Sequence, residues 1–168
     1  MKKRIYNLLK EPRDNDYRDL LDFAIRECKY FLLVTDKDNK QLCPTGKLLL
    51  ERLSQFLYKL EMKSEWPGTI LLHGQVPVYT YFLVPESLVI LKKSATSLYQ
   101  WQRPNLPDDL CFLRSDETPW LVNIAHENDG YFEISEQEKK HLVSVLPHYR
   151  AMISYYDMTE KHSFKEDE

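Results

Sequence analysis

The sequence is poor in glycine and cysteine, and each scarcity excludes a class of site. Only four of its 168 residues are glycine, and Gly46-Lys47 lacks the upstream glycine of a Walker motif, which excludes a glycine-rich phosphate loop. The three cysteines, Cys28, Cys43 and Cys111, form no CxxC pair, which excludes a zinc ribbon and a dithiol redox motif. An odd number of widely spaced cysteines is typical of a reducing compartment.

Long apolar runs and an excess of basic residues are absent too. No apolar run approaches the ~20 residues of a membrane helix. The basic start, Met1–Arg4, is followed by acidic residues rather than by the apolar segment of a signal peptide. The pI near 6.0 gives no support to nucleic-acid binding, which needs a basic face. We therefore expect a cytoplasmic protein that binds neither nucleic acid nor a membrane.

The residues that usually carry catalysis or bind metals are not spaced for either role. The five histidines form no HxH or HExxH pair, so we expect no metal and no other cofactor. Cys111, His126 and Asp108 can be sketched as a Cys–His–Asp arrangement. However, Cys111 lies in an apolar run, where cysteine is usually an inert core residue. We therefore expect no catalytic residue, and the sequence favours a binding protein over an enzyme.

The clearest structural pattern lies in residues 106–135, where three apolar segments alternate with polar turns. Short segments rich in β-branched and aromatic residues are typical of strands, and brief polar connections favour antiparallel pairing of neighbours. The sequence predicts a β-meander with strands at 110–113, 120–126 and 131–134, separated by turns at 116–119 and 127–130.

The rest of the chain predicts helices and a hairpin around this meander. Apolar spacing predicts one helix over 17–28. A second helix is predicted after Thr45, with its apolar stripe from Leu49 to Leu60 and its end at Trp66-Pro-Gly68, whereas residues 30–35 fit either a strand or a helix end. Pro85 suits the start of a third helix, and Ser135 with Glu138 matches a capping box for a fourth. A hairpin is predicted around Gly74-Gln75.

Together these elements predict a single α+β domain over residues 1–168. We expect one antiparallel-rich sheet of about five strands, with helices packed on one of its faces. Residues 1–13 are predicted to form a loosely docked arm, and the tail 159–168 is expected to be frayed.

Charge is segregated along the sequence. Residues 104–138 hold nine acidic residues and one arginine, whereas residues 1–103 hold 12 acidic and 17 basic residues. Alternate turns of a meander lie at opposite ends of a sheet, so four acids are expected to gather at one end. Such a cluster would steer a basic protein partner, and the alternative is that these are only solvated turn residues. The candidate partner-binding residues are Asp108, Asp109, Glu127 and Asp129.

Four motifs resemble a family of uncharacterised Bacillus-type proteins. They are Val84-Pro-Glu-Ser-Leu88, Ser97-Leu-Tyr-Gln-Trp101, Leu106-Pro-Asp-Asp-Leu-Cys-Phe112, and Pro119-Trp-Leu with Ala-His-Glu127. Some members of that family are labelled "stage III sporulation protein AH", so the resemblance implies a sporulation-related role. It brings no catalytic residues to this chain.

Three functions stay open from the sequence. The first is a non-catalytic protein-binding module, of immunity or regulatory type, that docks a basic partner through the acidic meander. The second is a small-molecule enzyme or ligand-binding domain with a pocket between the sheet and the helices. The third is a sporulation-related structural protein. The sequence does not define an oligomeric state.

Overall fold

The computed structural model describes residues 1–156, which exclude the predicted tail 159–168. Four helices and ten strands make up this part of the chain. The helices are α1 (Asn15–Glu27), α2 (Pro44–Leu53), α3 (Pro85–Ser94) and α4 (Glu136–Val145). The strands are β1 (Arg4–Leu8), β2 (Tyr30–Val34), β3 (Leu57–Lys63), β4 (Glu65–Trp66), β5 (Thr69–Ile70), β6 (Val76–Phe82), β7 (Asp108–Leu113), β8 (Pro119–Ile124), β9 (Asp129–Ile134) and β10 (Ile153–Tyr155).

Eight of the described strands form one sheet in the order β10-β1-β9-β8-β7-β2-β6-β3, and every neighbouring pair is antiparallel. The α+β class and the antiparallel sheet are therefore confirmed. The predicted count of about five strands is wrong. The meander is confirmed, because β7, β8 and β9 are consecutive neighbours joined by short turns.

The loosely docked arm predicted for residues 1–13 is wrong over Arg4–Leu8. This segment is β1, which pairs with β9 on one side and with β10 on the other. Its Tyr6 and Leu8 side chains are buried in the main core. The partners of β1 lie near the other end of the sequence, so no local pattern marks it as a strand.

The second helix ends earlier than predicted. α2 stops at Leu53, and Leu57–Lys63 forms the edge strand β3. An apolar residue at every third or fourth position up to Leu60 fits a helix. The alternation of apolar and charged residues within β3 has the period of a strand instead. The sequence of this segment fits both the helical and the strand period, and the pairing with β6 favours the strand.

The two faces of the sheet are covered differently. Buried residues from all four helices join one core cluster on what we call the helix face. On the opposite hairpin face, a smaller apolar cluster packs against Trp66 of the β4–β5 hairpin. A Cβ at Gly68 would lie 2.7 Å from a methyl carbon of Val122, and φ at Gly68 is 84°, so glycine lets this hairpin lie against the sheet. The hairpin turns at Pro67-Gly68, and the predicted turn at Gly74-Gln75 is wrong.

The helix start at Ser135 is confirmed. Its side-chain oxygen accepts a hydrogen bond from the Glu138 backbone N–H at 3.1 Å, and the Glu138 carboxylate accepts one from the Ser135 N–H at 2.6 Å. This reciprocal pair is a capping box, which satisfies two amides that a helix otherwise leaves free.

Replacing Ser135 with alanine is expected to lower the free energy of unfolding by about 1 kcal/mol, because one α4 amide loses its acceptor. Urea denaturation of the parent and of Ser135→Ala measures this difference. Ser144→Ala is the matched control, since Ser144 is exposed in the last turn of α4 and bonds only the His141 carbonyl. Equal losses in the two variants would contradict the capping role.

Candidate binding groove

A groove of about 1170 Å³ lies between α2, α3 and the chain that follows α3. Three other cavities in residues 1–156 are smaller, at about 450, 250 and 170 Å³. The side chains that matter most below are Leu48 and Arg52 from α2, Val89 and Lys93 from α3, and Arg13, Tyr99 and Arg103 from the surrounding loops.

The start of α2 is held close to the loop at 103–106. Cys43 donates its backbone N–H to the Pro104 carbonyl at 2.8 Å. A Cβ at Gly46 would lie 3.0 Å from the Asn105 carbonyl and closer still to the Leu42 side chain. Glycine at this position therefore permits the helix and the loop to approach, and this contact fixes one wall of the groove.

Arg103 anchors the same loop from the other side. Its Nε donates to Asp108 at 2.7 Å, its Nη1 donates to the Gln41 side chain at 3.0 Å, and Asp36 lies 3.6 Å away. The guanidinium thus lines the groove, but two carboxylates already neutralise it.

Another wall of the groove is a short turn at 97–100, which is hydrogen-bonded to the segment before α1. The Leu98 N–H donates to the Pro12 carbonyl at 3.1 Å, and the Tyr99 N–H donates to Glu11 at 2.8 Å. The second oxygen of Glu11 accepts from Arg13 Nε at 2.6 Å. Glu11 and Arg13 therefore neutralise each other at the rim of the groove.

Two basic side chains in the groove have no ion-pair partner among residues 1–156. Arg52 and Lys93 are exposed, and neither forms an ion pair with any of residues 1–156. One helical turn before each cation stands an exposed apolar side chain, since Leu48 is 45% and Val89 is 47% exposed. Each of the two helices thus presents an apolar side chain and a cation to the same groove.

The described lining has a few side chains that can act as nucleophiles, namely the hydroxyls of Thr45, Ser94 and Ser97 and the amine of Lys93. It includes no histidine, cysteine or aspartate, and its one carboxylate, on Glu11, is bonded as described above. Burial raises the pKa of Tyr99 to about 12, so its hydroxyl stays neutral near pH 7. Residues 1–156 also hold no group of three or more His, Cys, Asp or Glu residues that is placed to bind a metal ion. The arrangement can bind an anionic, partly apolar ligand.

The four acidic residues predicted to bind a partner do lie at one end of the sheet, but they differ in burial and in ion pairing. Asp109 is 1% exposed, and its carboxylate accepts hydrogen bonds from the Trp66 indole and from the Ala125 N–H, each at 3.0 Å. Asp108 is bonded to Arg103. Glu127 and Asp129 are exposed and flank Asn128, which reaches the groove. Docking of a basic partner stays a prediction. These last two carboxylates are the exposed ones, and Glu127 lies 3.8 Å from His126 Nε2.

Much of the acidic charge of the segment 104–138 is neutralised within the fold. Four of its acidic residues form ion pairs with basic residues from 1–103. Charges that are separated along the sequence are therefore paired in the folded structure. The pairs are Asp108 with Arg103, Glu117 with Lys59, Glu136 with Arg4 and Glu138 with Lys3, at 2.7, 2.9, 3.5 and 2.8 Å.

The sketched Cys–His–Asp arrangement is not assembled. The Cys111 sulfur is buried on the hairpin face and contacts the backbone of Asn123, and burial raises the pKa of its thiol. His126 is 56% exposed, with its Nδ1 3.9 Å from Asp109 rather than beside Asp108.

Sequence reasoning missed Arg52 and Lys93. Both lie four positions after an apolar residue on the outer side of a helix, and this pattern is visible in the sequence. What it does not reveal is that α2 and α3 are neighbours, because that contact depends on the whole sheet.

No protein-family model, curated protein or solved structure matches this chain. The resemblance to the family labelled for sporulation therefore stays a prediction. Within the described part of the chain, no helix has the length and apolarity needed to cross a bilayer.

Proposed function

We propose that this protein is a non-catalytic protein-binding module whose groove receives an acidic, amphipathic segment of a partner. The observation that carries the proposal is the pair of unneutralised cations, Arg52 and Lys93, each placed one turn beyond an exposed apolar side chain in the same groove.

Size supports a peptide rather than a small molecule. The groove, at about 1170 Å³, is larger than ordinary small-molecule sites, which measure roughly 300–1,000 Å³ and are more enclosed. Grooves between helices commonly bind an amphipathic helix, whose apolar side chains pack against the floor of the groove. Leu48 and Val89 supply such a floor.

Charge supports an acidic segment. Carboxylates of the ligand can approach Arg52 and Lys93 without displacing an internal partner, whereas Arg13 and Arg103 are already paired. Exposed ion pairs contribute little affinity each, but they speed association and select against ligands of the wrong sign.

The double charge reversal Arg52→Glu with Lys93→Glu tests the proposal. The probe is a fluorescein-labelled helical peptide of about 14 residues, with leucines at helical spacing and glutamates elsewhere. Fluorescence anisotropy is expected to show binding that weakens with added salt, and at least a tenfold loss in the double variant, because two attractions become repulsions.

The matched control is Lys47→Glu with Lys140→Glu, which also reverses two exposed lysines, neither of which lines the groove. It should bind the peptide as the parent does. Amide shifts in two-dimensional NMR should concentrate around Leu48 and Val89. Absence of binding, or equal losses in both double variants, would overturn the proposal.

A second candidate is the docking of a basic partner at Glu127 and Asp129, which the exposure of these two carboxylates favours. The same peptide with lysine in place of glutamate tests it. Binding of this basic peptide, abolished by Glu127→Gln with Asp129→Asn, would favour the second candidate over the first.

A further inference from the structure

The sheet ends at β3, a strand of seven residues whose outer side is unpaired in residues 1–156. Its register with β6 separates two kinds of side chain. Leu60 and Met62 lie opposite Tyr79 and Pro77, whereas Lys59 and Glu61 lie opposite Thr80 and Val78. Val78 belongs to the hairpin-face cluster, and Tyr79 packs against the helix-face core. The apolar pair therefore stands on the helix face and the charged pair on the hairpin face.

We propose that β3 pairs antiparallel with β3 of a second copy of this chain, around a two-fold axis through Leu60. Antiparallel pairing about an axis perpendicular to the sheet places a residue opposite its own copy. The interaction surface is thus the free edge itself, and the occupant is a second identical strand.

Charge complementarity and full overlap of the two strands together select this register. With Leu60 opposite its copy, all seven residues of β3 overlap, and Lys59 lies opposite Glu61 of the second copy on both sides of the axis. Opposite charges directly across a sheet stabilise the pair, and like charges destabilise it. Centring the axis on Lys59 or on Glu61 would instead place like charges opposite each other. Centring it on Met62 would place Glu61 opposite Lys63, but only residues 61–63 of β3 would overlap.

The apolar residues add to the same register. Leu60 is 50% and Met62 is 47% exposed, although both stand on the helix face, because no described helix extends over this edge. In the pair, the two Leu60 side chains meet across the axis and remove apolar surface from water.

Lysines on an edge strand usually prevent pairing with other chains. Lys59 and Lys63 would act in this way against most strands. The glutamate between them offsets this effect when a lysine of the second strand lies opposite it, as in the register centred on Leu60. Lys59 already lies 3.5 Å from Glu61 of its own strand and 2.9 Å from Glu117, so the second copy extends an existing group of ion pairs.

Sedimentation at about 100 µM protein, above the Kd of a typical weak dimer, is the first test. The parent should have twice the chain mass of 20.1 kDa, and Leu60→Lys should be monomeric. Ser154→Lys, an exposed residue on the opposite edge strand β10, is the control and should keep the parent's mass. A parent that is monomeric at this concentration would overturn the proposal.

A charge swap tests the register. Lys59→Glu and Glu61→Lys each create two like-charge pairs, and each should weaken the dimer at least roughly tenfold. Mixing the two variants restores both attractions, because glutamates at 59 and 61 then face lysines at 61 and 59. A heterodimer within about threefold of the parent's Kd would support the register and would show that both variants are folded. Failure of the mixture to dimerise, or undiminished dimers of either variant alone, would overturn it.

Discussion

Replacing Arg114 with methionine is expected to lower the free energy of unfolding by about 3 kcal/mol, because a partly buried carboxylate would lose one of its two cations and two backbone carbonyls would lose a donor. The guanidinium is only 13% exposed. It donates to Glu138 at 2.8 Å and to the carbonyls of Pro119 and Glu133 at 2.5 and 2.8 Å. One side chain thus joins the end of β7 to β8, β9 and α4.

The same contact governs part of the response to acid. Burial by itself raises the pKa of Glu138, but hydrogen bonds from Lys3, the Ser135 N–H and Arg114 outweigh burial and lower this pKa from 4.5 to about 2. A lowered folded pKa contributes stability that is present above pH 4.5 and is lost as the pH falls toward 2. Since about a quarter of this side chain is exposed, solvent screening leaves about 1–2 kcal/mol of that contribution.

Urea denaturation at pH 7 and at a series of lower pH values measures both effects. The parent should lose stability more steeply than Arg114→Met between pH 4.5 and 2, because the variant has less of this contribution to lose. Arg150→Met is the control, since Arg150 is exposed and has no ion pair among the described residues. A loss below about 1 kcal/mol in Arg114→Met at pH 7 would contradict the bridging role, because that is what an exposed pair contributes.

Replacing Asp109 with alanine is the second large change, with an expected loss of about 3 kcal/mol. The Trp66 indole and the Ala125 N–H would each be left without an acceptor, and an unsatisfied buried donor costs about 1–3 kcal/mol. Asp109 also has φ of 60°, a left-handed conformation that aspartate tolerates better than alanine does. The carboxylate therefore fixes both its own strand and the β4–β5 hairpin.

Asp109→Asn separates hydrogen bonding from charge. An amide tolerates the same backbone conformation, but it has one acceptor where two donors converge, so an intermediate loss is expected. Thermal denaturation followed by Trp fluorescence measures the stability. Glu127→Ala, an exposed neighbour in the same acidic cluster, should have almost no effect. A similarly small effect of Asp109→Ala would show that the hairpin is held by other contacts.

The titration of Asp109 has the opposite sign to that of Glu138. Burial is the largest influence on its carboxyl and raises its pKa, although the hydrogen bonds from Trp66 and Ala125 oppose this. A raised folded pKa favours folding at low pH, and this contribution is lost as the pH rises through the folded pKa. Acid should therefore destabilise the fold at Glu138, whereas at Asp109 relief of the buried charge outweighs the weakening of the two hydrogen bonds.

Local patterns in the sequence were sufficient for some elements of the fold. The capping box at Ser135, the proline start of α3 and the β-meander each depend on residues within one turn or one hairpin, and all three are present. The physical causes act over a few positions, so the sequence displays them directly.

Features that depend on distant partners could not be predicted in this way. β1 is a strand because it pairs with β9 and β10, and β3 is a strand because it pairs with β6. The role of Asp109 has the same origin. Its sequence context, Pro-Asp-Asp, is typical of a solvated turn, but the hairpin at Trp66 covers it and turns a surface charge into a buried acceptor. Arg52 and Lys93 share a groove only after α2 and α3 have packed on the sheet.

The position of β1 between β9 and β10 imposes an order on folding. Tyr6 of β1 is bonded to Glu136, a residue 130 positions later. During synthesis, β2, β6 and the meander can pair as they emerge, whereas β1 must wait until β9 has been made. Closing such a long loop carries a large entropic cost before any contact compensates for it, which is typical of slow steps in sheet proteins. The first strand of the sequence is therefore expected to be among the last to join the sheet, and until it joins, β9 presents an open edge.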